Sequence, residues 1–240
     1  MIVIPMAGMS SRFKRAGYLL PKFMLKINEK SVFSLAIESF KNFFDNEHFL
    51  FIAYDEFSVF DFINRECSNL GLKSYEVVLL KNHTKGQAET VYFGLQRMTR
   101  KTDDHILVFN IDTFRPNFCW PNDFNIKEIS GYLETFIGEG ANWSNVLPIE
   151  GTNRVKLTAE KKQISKYCCT GVYYWRSVSL YKRVFDLYKE KDVSVLDGGE
   201  YYIAPMFNYI INEGGDVRFS VIEKKEVIFC GVPEEYESLL

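Results

Sequence analysis

The sequence has little of what several classes of function require. It contains no run of about 18 apolar residues, so no membrane-spanning helix is expected. Its 29 Lys and Arg against 31 Asp and Glu leave a net charge of −2. That balance argues against a nucleic-acid or membrane surface. The five cysteines (Cys67, Cys119, Cys168, Cys169, Cys230) are odd in number and include no CxxC pair. Neither a zinc site nor a disulfide framework is expected, and reduced, mostly buried thiols fit better. The three histidines, His48, His83 and His105, are too scattered to suggest a nucleophile–base arrangement. The opening MIVIPMAGMSSRF lacks the cationic start and long apolar stretch of a secretion signal, so a cytoplasmic protein is expected.

What is present is an ordinary globular composition, 47% hydrophobic and 25% charged, with 21 Phe at core-like positions that read as packing material. A chain of 240 residues can bury a full core unaided. Met1–Pro5, His48–Tyr54, Tyr75–Leu80 and His105–Asn110 are short apolar runs suited to buried strands. Between them, Phe33, Ala36, Ile37, Phe40 and Phe44 recur at helical spacing, as do Phe57, Phe60, Ile63, Cys67 and Leu70, with Gly71 placed to end the second helix. Ala88–Met98 is a third helix. This alternation predicts βαβ units and a largely parallel sheet flanked by helices. In the second half, Ile129–Ile137, Ser144–Pro148, Arg154–Thr158 and Thr170–Trp175 read as strands with short turns. Helices are expected at Ser177–Lys189 and Tyr201–Asn212, and strands near Val217–Ile222 and Val227–Cys230. The whole reads as one α/β domain over residues 1–240, Rossmann-like, with a smaller antiparallel addition laid over the first half. Self-association is left open.

In open α/β sheets, ligands sit beyond the carboxyl ends of the strands. That directs attention to Met6–Lys22, His83–Thr90 and Ile111–Pro116. In the first, Ala7-Gly8-Met9-Ser10-Ser11-Arg12 offers a backbone that can approach phosphate, two hydroxyls and a cationic fork. Pro21 restrains the chain beside Lys22, a cation suited to a polyphosphate. Asp112 ends an apolar strand, where a carboxylate with Mg²⁺ is one reading and a turn cap the other.

Taken together, PMAGMSSRF…GY…PKFML, GQAET and NID resemble, in order and spacing, the sugar-phosphate nucleotidyltransferase family. Trp143-Ser144, Ala159-Glu160-Lys161, Thr170-Gly171-Val172-Tyr173-Tyr174, Gly199-Glu200-Tyr201-Tyr202 and Gly231-Val232-Pro233-Glu234-Glu235-Tyr236 look like the family's acceptor-side motifs, so the likeness spans nearly the whole chain. It implies a nucleotidyltransferase fold, with residues 1–125 mainly binding nucleotide and 126–240 mainly binding acceptor. Met6, Ala7, Gly8, Ser10, Ser11 and Arg12 would hold the nucleotide, with Lys22 at the reacting phosphates. Gly86, Gln87 and Ala88 would contact the base, and Asp112 would bind Mg²⁺. Trp143, Glu160, Lys161, Gly171, Glu200 and Tyr202 would face the acceptor.

One departure stands out. Phe229 occupies the place of the family's second metal-binding Asp, for which Glu200 or Asp197 is the substitute considered. The segments MAGMSSRF, NIDTFRP and EYYIAP look most like capsule-locus cytidylyltransferases. That closer likeness implies CTP and phosphoglutamine as substrates and CDP-L-glutamine as product, in capsular polysaccharide modification. The alternatives are another NTP with a sugar-1-phosphate, or a non-catalytic nucleotide-binding regulator. A glycosyltransferase would want an Asp-x-Asp metal motif, where only Asn110-Ile111-Asp112 is present.

Overall fold

The computed structural model describes residues 1–240, with the side chain of Asp197 outside the description. In chain order the elements are β1 (Ile2–Pro5), α1 (Ser11–Arg15), β2 (Lys26–Ile27), β3 (Lys30–Ser31), α2 (Val32–Glu38), β4 (Phe49–Tyr54), α3 (Val59–Leu70), β5 (Tyr75–Leu80), α4 (Gln87–Arg97), β6 (Ile106–Phe109) and β7 (Thr113–Phe114). There follow β8 (Gly131–Ile137), β9 (Ser144–Pro148), β10 (Val155–Glu160), β11 (Tyr167–Trp175), α5 (Val178–Tyr188), α6 (Phe207–Asn212), β12 (Val217–Ile222), β13 (Ile228–Phe229) and α7 (Pro233–Glu237).

The first half is the expected parallel sheet, in order β6–β1–β4–β5. Its strands are apolar on successive residues because both faces are buried. Ile2 and Ile4 enter one core with Phe33, Phe40, Phe49 and Phe51, while Val3 enters the other with Leu50, Ile52, Val91 and Leu95. Helix α3 buries Val59, Phe62, Ile63 and Cys67, and Gly71 ends it in the left-handed conformation at φ 74°. Phe57, expected inside this helix, precedes it at φ 55°.

The antiparallel half differs from the expectation in one respect: it extends the same sheet instead of lying over it. Strand β11 is the junction. Along one edge it pairs with β8, and along the other its start pairs with β9 and its end with β6. The change of partner falls around Gly171, at φ 102°, where the register also shifts. A bulge of this kind bends a strand and re-aims it. On the far side, β12 adds parallel to β8. The helix expected over Tyr201–Asn212 starts as α6 only at Phe207, after a 3-10 turn at Ala204–Met206 that contains Pro205. No helix among the described residues is long and apolar enough to cross a membrane.

Candidate active site

The loops beyond the carboxyl ends of β1, β5 and β6 converge with the β9–β10 hairpin and the segment before Ala204 on one cleft of about 950 Å³. Its lining includes Met6, Ala7, Gly8, Ser10, Ser11, Arg12, Lys22, Gly86, Gln87, Asp112, Trp143, Glu160, Lys161, Gly171, Glu200 and Tyr202. Nearly every residue singled out in the sequence therefore faces the same space. Among the described side chains, Ala88 is the exception. It is fully buried and absent from the lining. Its N–H donates to the Tyr201 carbonyl at 2.9 Å, and its own carbonyl accepts from the Tyr181 hydroxyl at 3.0 Å. Its backbone is thus committed to packing, which corrects the expectation that it contacts the base.

The loop after β1 is anchored at both ends. The Met6 N–H donates to the Ile52 carbonyl at 2.8 Å, and Phe13, fully buried, packs edge-on against Tyr18 and Tyr236. Between these anchors Gly8, Ser11 and Arg12 are exposed to the cleft, and Ser10 sits in the left-handed region at φ 49°. The Lys22 N–H reaches the Ser10 hydroxyl oxygen at 3.4 Å. Lys22 Nζ donates to Asp112 Oδ2, and both side chains are about one-fifth exposed. Burial alone would raise the Asp112 carboxyl, but Lys22, joined by Arg12, holds it below the ordinary carboxylate range. Asp112 is thus kept ionised between a fixed cation and the cleft.

Across the cleft, Gln87 Nε2 donates to Asn110 Oδ1 at 2.5 Å, and the Asn110 N–H donates to the Gly171 carbonyl at 3.2 Å. A Cβ at Gly171 would lie 2.7 Å from Asn110 Nδ2, so the glycine is what lets Asn110 sit against β11 and fix the Gln87 amide. The Gly86 loop is held by a two-way backbone exchange with Tyr201: the Tyr201 N–H donates to the Lys85 carbonyl at 2.7 Å, and Ala88 returns the bond. At Gly86, φ is 133°, and an added Cβ would meet the Tyr201 backbone N at 2.6 Å. Gly86→Ala is therefore expected to destabilise the protein by roughly 1–3 kcal/mol and to displace Gln87. A thermal melt showing no loss would overturn this account of the glycine.

The residues expected to face an acceptor form another lip of the cleft. Ser144 pairs in register with Glu160, its hydroxyl donates to Glu160 Oε2, and the Tyr173 hydroxyl donates to Ser144 Oγ at 3.3 Å. The Lys161 N–H donates to the Trp143 carbonyl at 3.1 Å. Lys161 takes a left-handed backbone at φ 51°, and its ammonium lies 4.6 Å from the Tyr202 ring centroid while donating to the Tyr202 hydroxyl. Burial pushes that phenol up, against the opposing pull of Lys161, so it stays neutral.

Among the described residues, no group of three or more His, Cys, Asp and Glu converges as a protein-built metal cage. The fit is to a cation that takes one or two carboxylates and completes its shell with phosphate oxygens and water, the usual habit of Mg²⁺. Glu200 lines the cleft but is exposed in the segment leading to Tyr202. Asp197 lies outside the described side chains. The carboxylate brought towards Asp112 is instead Glu235: a Cβ at Gly231 would lie 3.2 Å from Asp112 Oδ2 and 3.7 Å from Glu235 Oε2. Glu235 Oε2 also accepts from the Gly231 and Val232 N–H groups, at 2.8 and 3.3 Å, so it caps α7 as well. Reasoning from the sequence missed Glu235 and Asn110 as members of the site, although both lie within the motifs quoted for the resemblance or beside them.

A parallel α/β sheet whose strand ends carry a Gly-rich loop, an ion-paired carboxylate and a lip formed by Glu160, Lys161 and Tyr202 has the layout of a nucleotide-handling protein of the doubly wound type. A crystal structure of the nucleoside-diphosphate-sugar pyrophosphorylase from Vibrio cholerae RC9 matches with a TM-score of 0.95 and 41% identity, covering 100% of this chain and 99% of that one. The chain belongs to the nucleotidyltransferase fold family, which holds pyrophosphorylases of that kind and cytidylyltransferases. The inositol-1-phosphate CTP transferase from T. maritima shares the fold at a TM-score of 0.74 and 16% identity, covering 99% of this chain and 94% of that one. The 2-C-methyl-D-erythritol 4-phosphate cytidylyltransferase of Petrotoga mobilis is 25% identical over 155 residues, and the match spans 63% of each protein. No protein-family model matches the chain.

Proposed function

We propose that this chain is a cytoplasmic, Mg²⁺-dependent nucleotidyltransferase that moves CMP from CTP to phosphoglutamine. The products would be pyrophosphate and CDP-L-glutamine, for use in capsular polysaccharide modification. The observation that carries the reading is the meeting, in one cleft, of the Gly8–Arg12 loop, the Lys22–Asp112 pair and the Lys161–Tyr202 lip. CTP is supported by the cytidylyltransferase relative from Petrotoga mobilis. Phosphoglutamine is supported by the likeness of the opening loop and of Glu200–Pro205 to capsule-locus enzymes.

In the proposed reaction, an oxygen of the acceptor phosphate attacks the α-phosphorus of CTP. The bond from that phosphorus to the bridging oxygen of the β-phosphate breaks, and pyrophosphate leaves with the electron pair. The acceptor brings its own charged oxygen, so the protein supplies orientation and charge neutralisation, and no side-chain nucleophile is required. Arg12 and Lys22 offset charge on the triphosphate, and Gln87, fixed by Asn110, can both donate to and accept from a base. Mg²⁺, when bound, would add shielding of the phosphate charge, and Asp112, with Glu235 near it, would hold it.

A second reading, an NDP-sugar pyrophosphorylase acting on a sugar-1-phosphate, is favoured by the name of the 41%-identical Vibrio cholerae relative. One experiment separates the readings. The purified protein with Mg²⁺ is offered each of the four NTPs against phosphoglutamine, glucose-1-phosphate and mannose-1-phosphate, and pyrophosphate release is followed. CTP with phosphoglutamine is expected to give the highest kcat/KM. A sugar phosphate matching or exceeding it would transfer the assignment to the second reading. No release with any pair would leave a nucleotide-binding regulator.

A further inference from the structure

Tyr54 has a hydroxyl that the fold positions and does not use up. It is the last residue of β4 and lines the main cleft. The Thr84 N–H donates to its oxygen at 2.7 Å. The Thr84 hydroxyl lies 2.7 Å from that of Thr90, which donates to the Gly86 carbonyl at 3.1 Å. The His83 ring packs edge-on against the phenol, with centroids 4.6 Å apart. The phenol is therefore tied to the loop that carries Gln87. A phenol donates one hydrogen bond as well as accepting. Among the described residues, no acceptor takes the Tyr54 proton.

The layout of the sheet says what that proton can meet. In the order β6–β1–β4–β5, β4 lies two strands from β6, about 10 Å at the usual strand spacing. Asp112, paired with Lys22, follows β6, and Arg12 follows β1, so anionic phosphates are drawn to that region. On the other side of β6 stands β11, and the Lys161–Tyr202 lip belongs to that half of the sheet. A nucleotide with its phosphates at Arg12 and Lys22 can extend its base either way, and only the β4 side leaves the lip to an acceptor. The adjoining pocket that Tyr54 shares with Met9, Phe23 and Phe57 measures about 30 Å³, room for a water or two and not for a ring. A base on the β4 side therefore meets Tyr54 at its edge.

We infer that Tyr54 reads the nucleobase, donating its hydroxyl proton to a carbonyl oxygen or ring nitrogen on the base edge while the Thr84 N–H holds the phenol oxygen in place. This rests on the reading that the cleft takes a nucleoside triphosphate. It goes further in naming a specificity residue outside the Gly86–Gln87 segment and on a different strand. The phenol carries no charge, so it selects by base and not by phosphate.

The test is calorimetric titration of the full chain and of Tyr54→Phe, with Mg²⁺ and without acceptor. The ligands are CTP and ribose 5-triphosphate, which carries the same phosphates and no base. Tyr54→Phe is expected to weaken CTP binding by at least about fivefold and to leave ribose 5-triphosphate within about twofold of the parent value. The spread of affinities across the four NTPs should narrow by at least about threefold. Equal losses for the two ligands would make Tyr54 a prop of the loop and overturn the inference, as would an unchanged CTP affinity or an unchanged spread. A crystal structure of the parent protein with CTP decides the matter even if the variant fails to fold. A base acceptor within about 3.2 Å of Tyr54 Oη is expected there, and a longer separation would overturn the inference. Base-dependent loss in Tyr54→Phe without pyrophosphate release from any substrate pair would sink the proposed transfer reaction and leave this inference standing. Release without base-dependent loss would do the reverse.

Discussion

Asp112→Asn is expected to lower kcat by at least about two orders of magnitude, the scale on which removing one preorganised electrostatic element acts. The carboxylate is held ionised by Lys22, just after β6, in the cleft that the Gly-rich loop and the Lys161–Tyr202 lip also line. An amide keeps the size and one acceptor oxygen but removes the charge that a divalent cation needs. It also leaves the Lys22 ammonium without its counter-ion, so the variant should bind nucleotide in a shifted position instead of merely more weakly. The fold should survive, because the backbone contact made by residue 112, its carbonyl accepting from the Cys230 N–H at 2.8 Å, does not involve the side chain. The measurement is kcat at saturating Mg²⁺ and substrates, paired with a thermal melt. Near-normal turnover by a folded Asp112→Asn would remove the carboxylate from the mechanism.

The parts of this site legible in the sequence are those where local chemistry and strand position coincide. Ile2–Pro5 reads as a buried parallel strand because both its faces meet core, and its loop then falls at the carboxyl edge. Lys22 in that same loop, and Gln87 and Asp112 at two others, follow by the same reasoning, and the structure brings them to one cleft. Contacts made by very short elements were not legible. Strands β7 and β13 have two residues each, too few for any periodicity, yet their pairing carries Phe229 and Gly231 to Asp112. Ala88 misled because a motif fixes a residue's neighbourhood but not the direction of its backbone bonds. Tyr201, 113 positions later, claims its N–H. The continuation of the sheet through β11 depended on the bulge at Gly171, and a single glycine in an apolar strand gives no sign of which neighbour it will choose.

The second large effect lies behind the site. Arg115 and Glu134 are 5% and 2% exposed at their side chains, and Arg115 Nε donates to Glu134 Oε1 at 3.0 Å. Burial pushes the Glu134 carboxyl up, while Arg115 and the Thr170 hydroxyl, which donates at 3.0 Å, pull it back. Arg115 also places Nη2 3.5 Å from Glu226, in the turn leading to β13, and its N–H donates to Ser39 Oγ at 2.9 Å. Removing one member of such a pair leaves an uncompensated charge in a dry place, at a cost of about 3–5 kcal/mol. Arg115→Met is therefore expected to lower Tm by on the order of 10 °C in a chain of this size. Replacing both members with apolar residues of similar volume, as in Arg115→Met with Glu134→Leu, should recover much of that loss, because the stranded charge and its desolvation are gone together. Activity should not recover in parallel. The pair links β8 to the Glu226 turn and so to β13, which pairs with β7 directly after Asp112. A double variant that melts near the parent temperature yet shows a raised KM for acceptor would separate the two roles. If the single variant loses less than about 1 kcal/mol, the pair is not the buried brace described here.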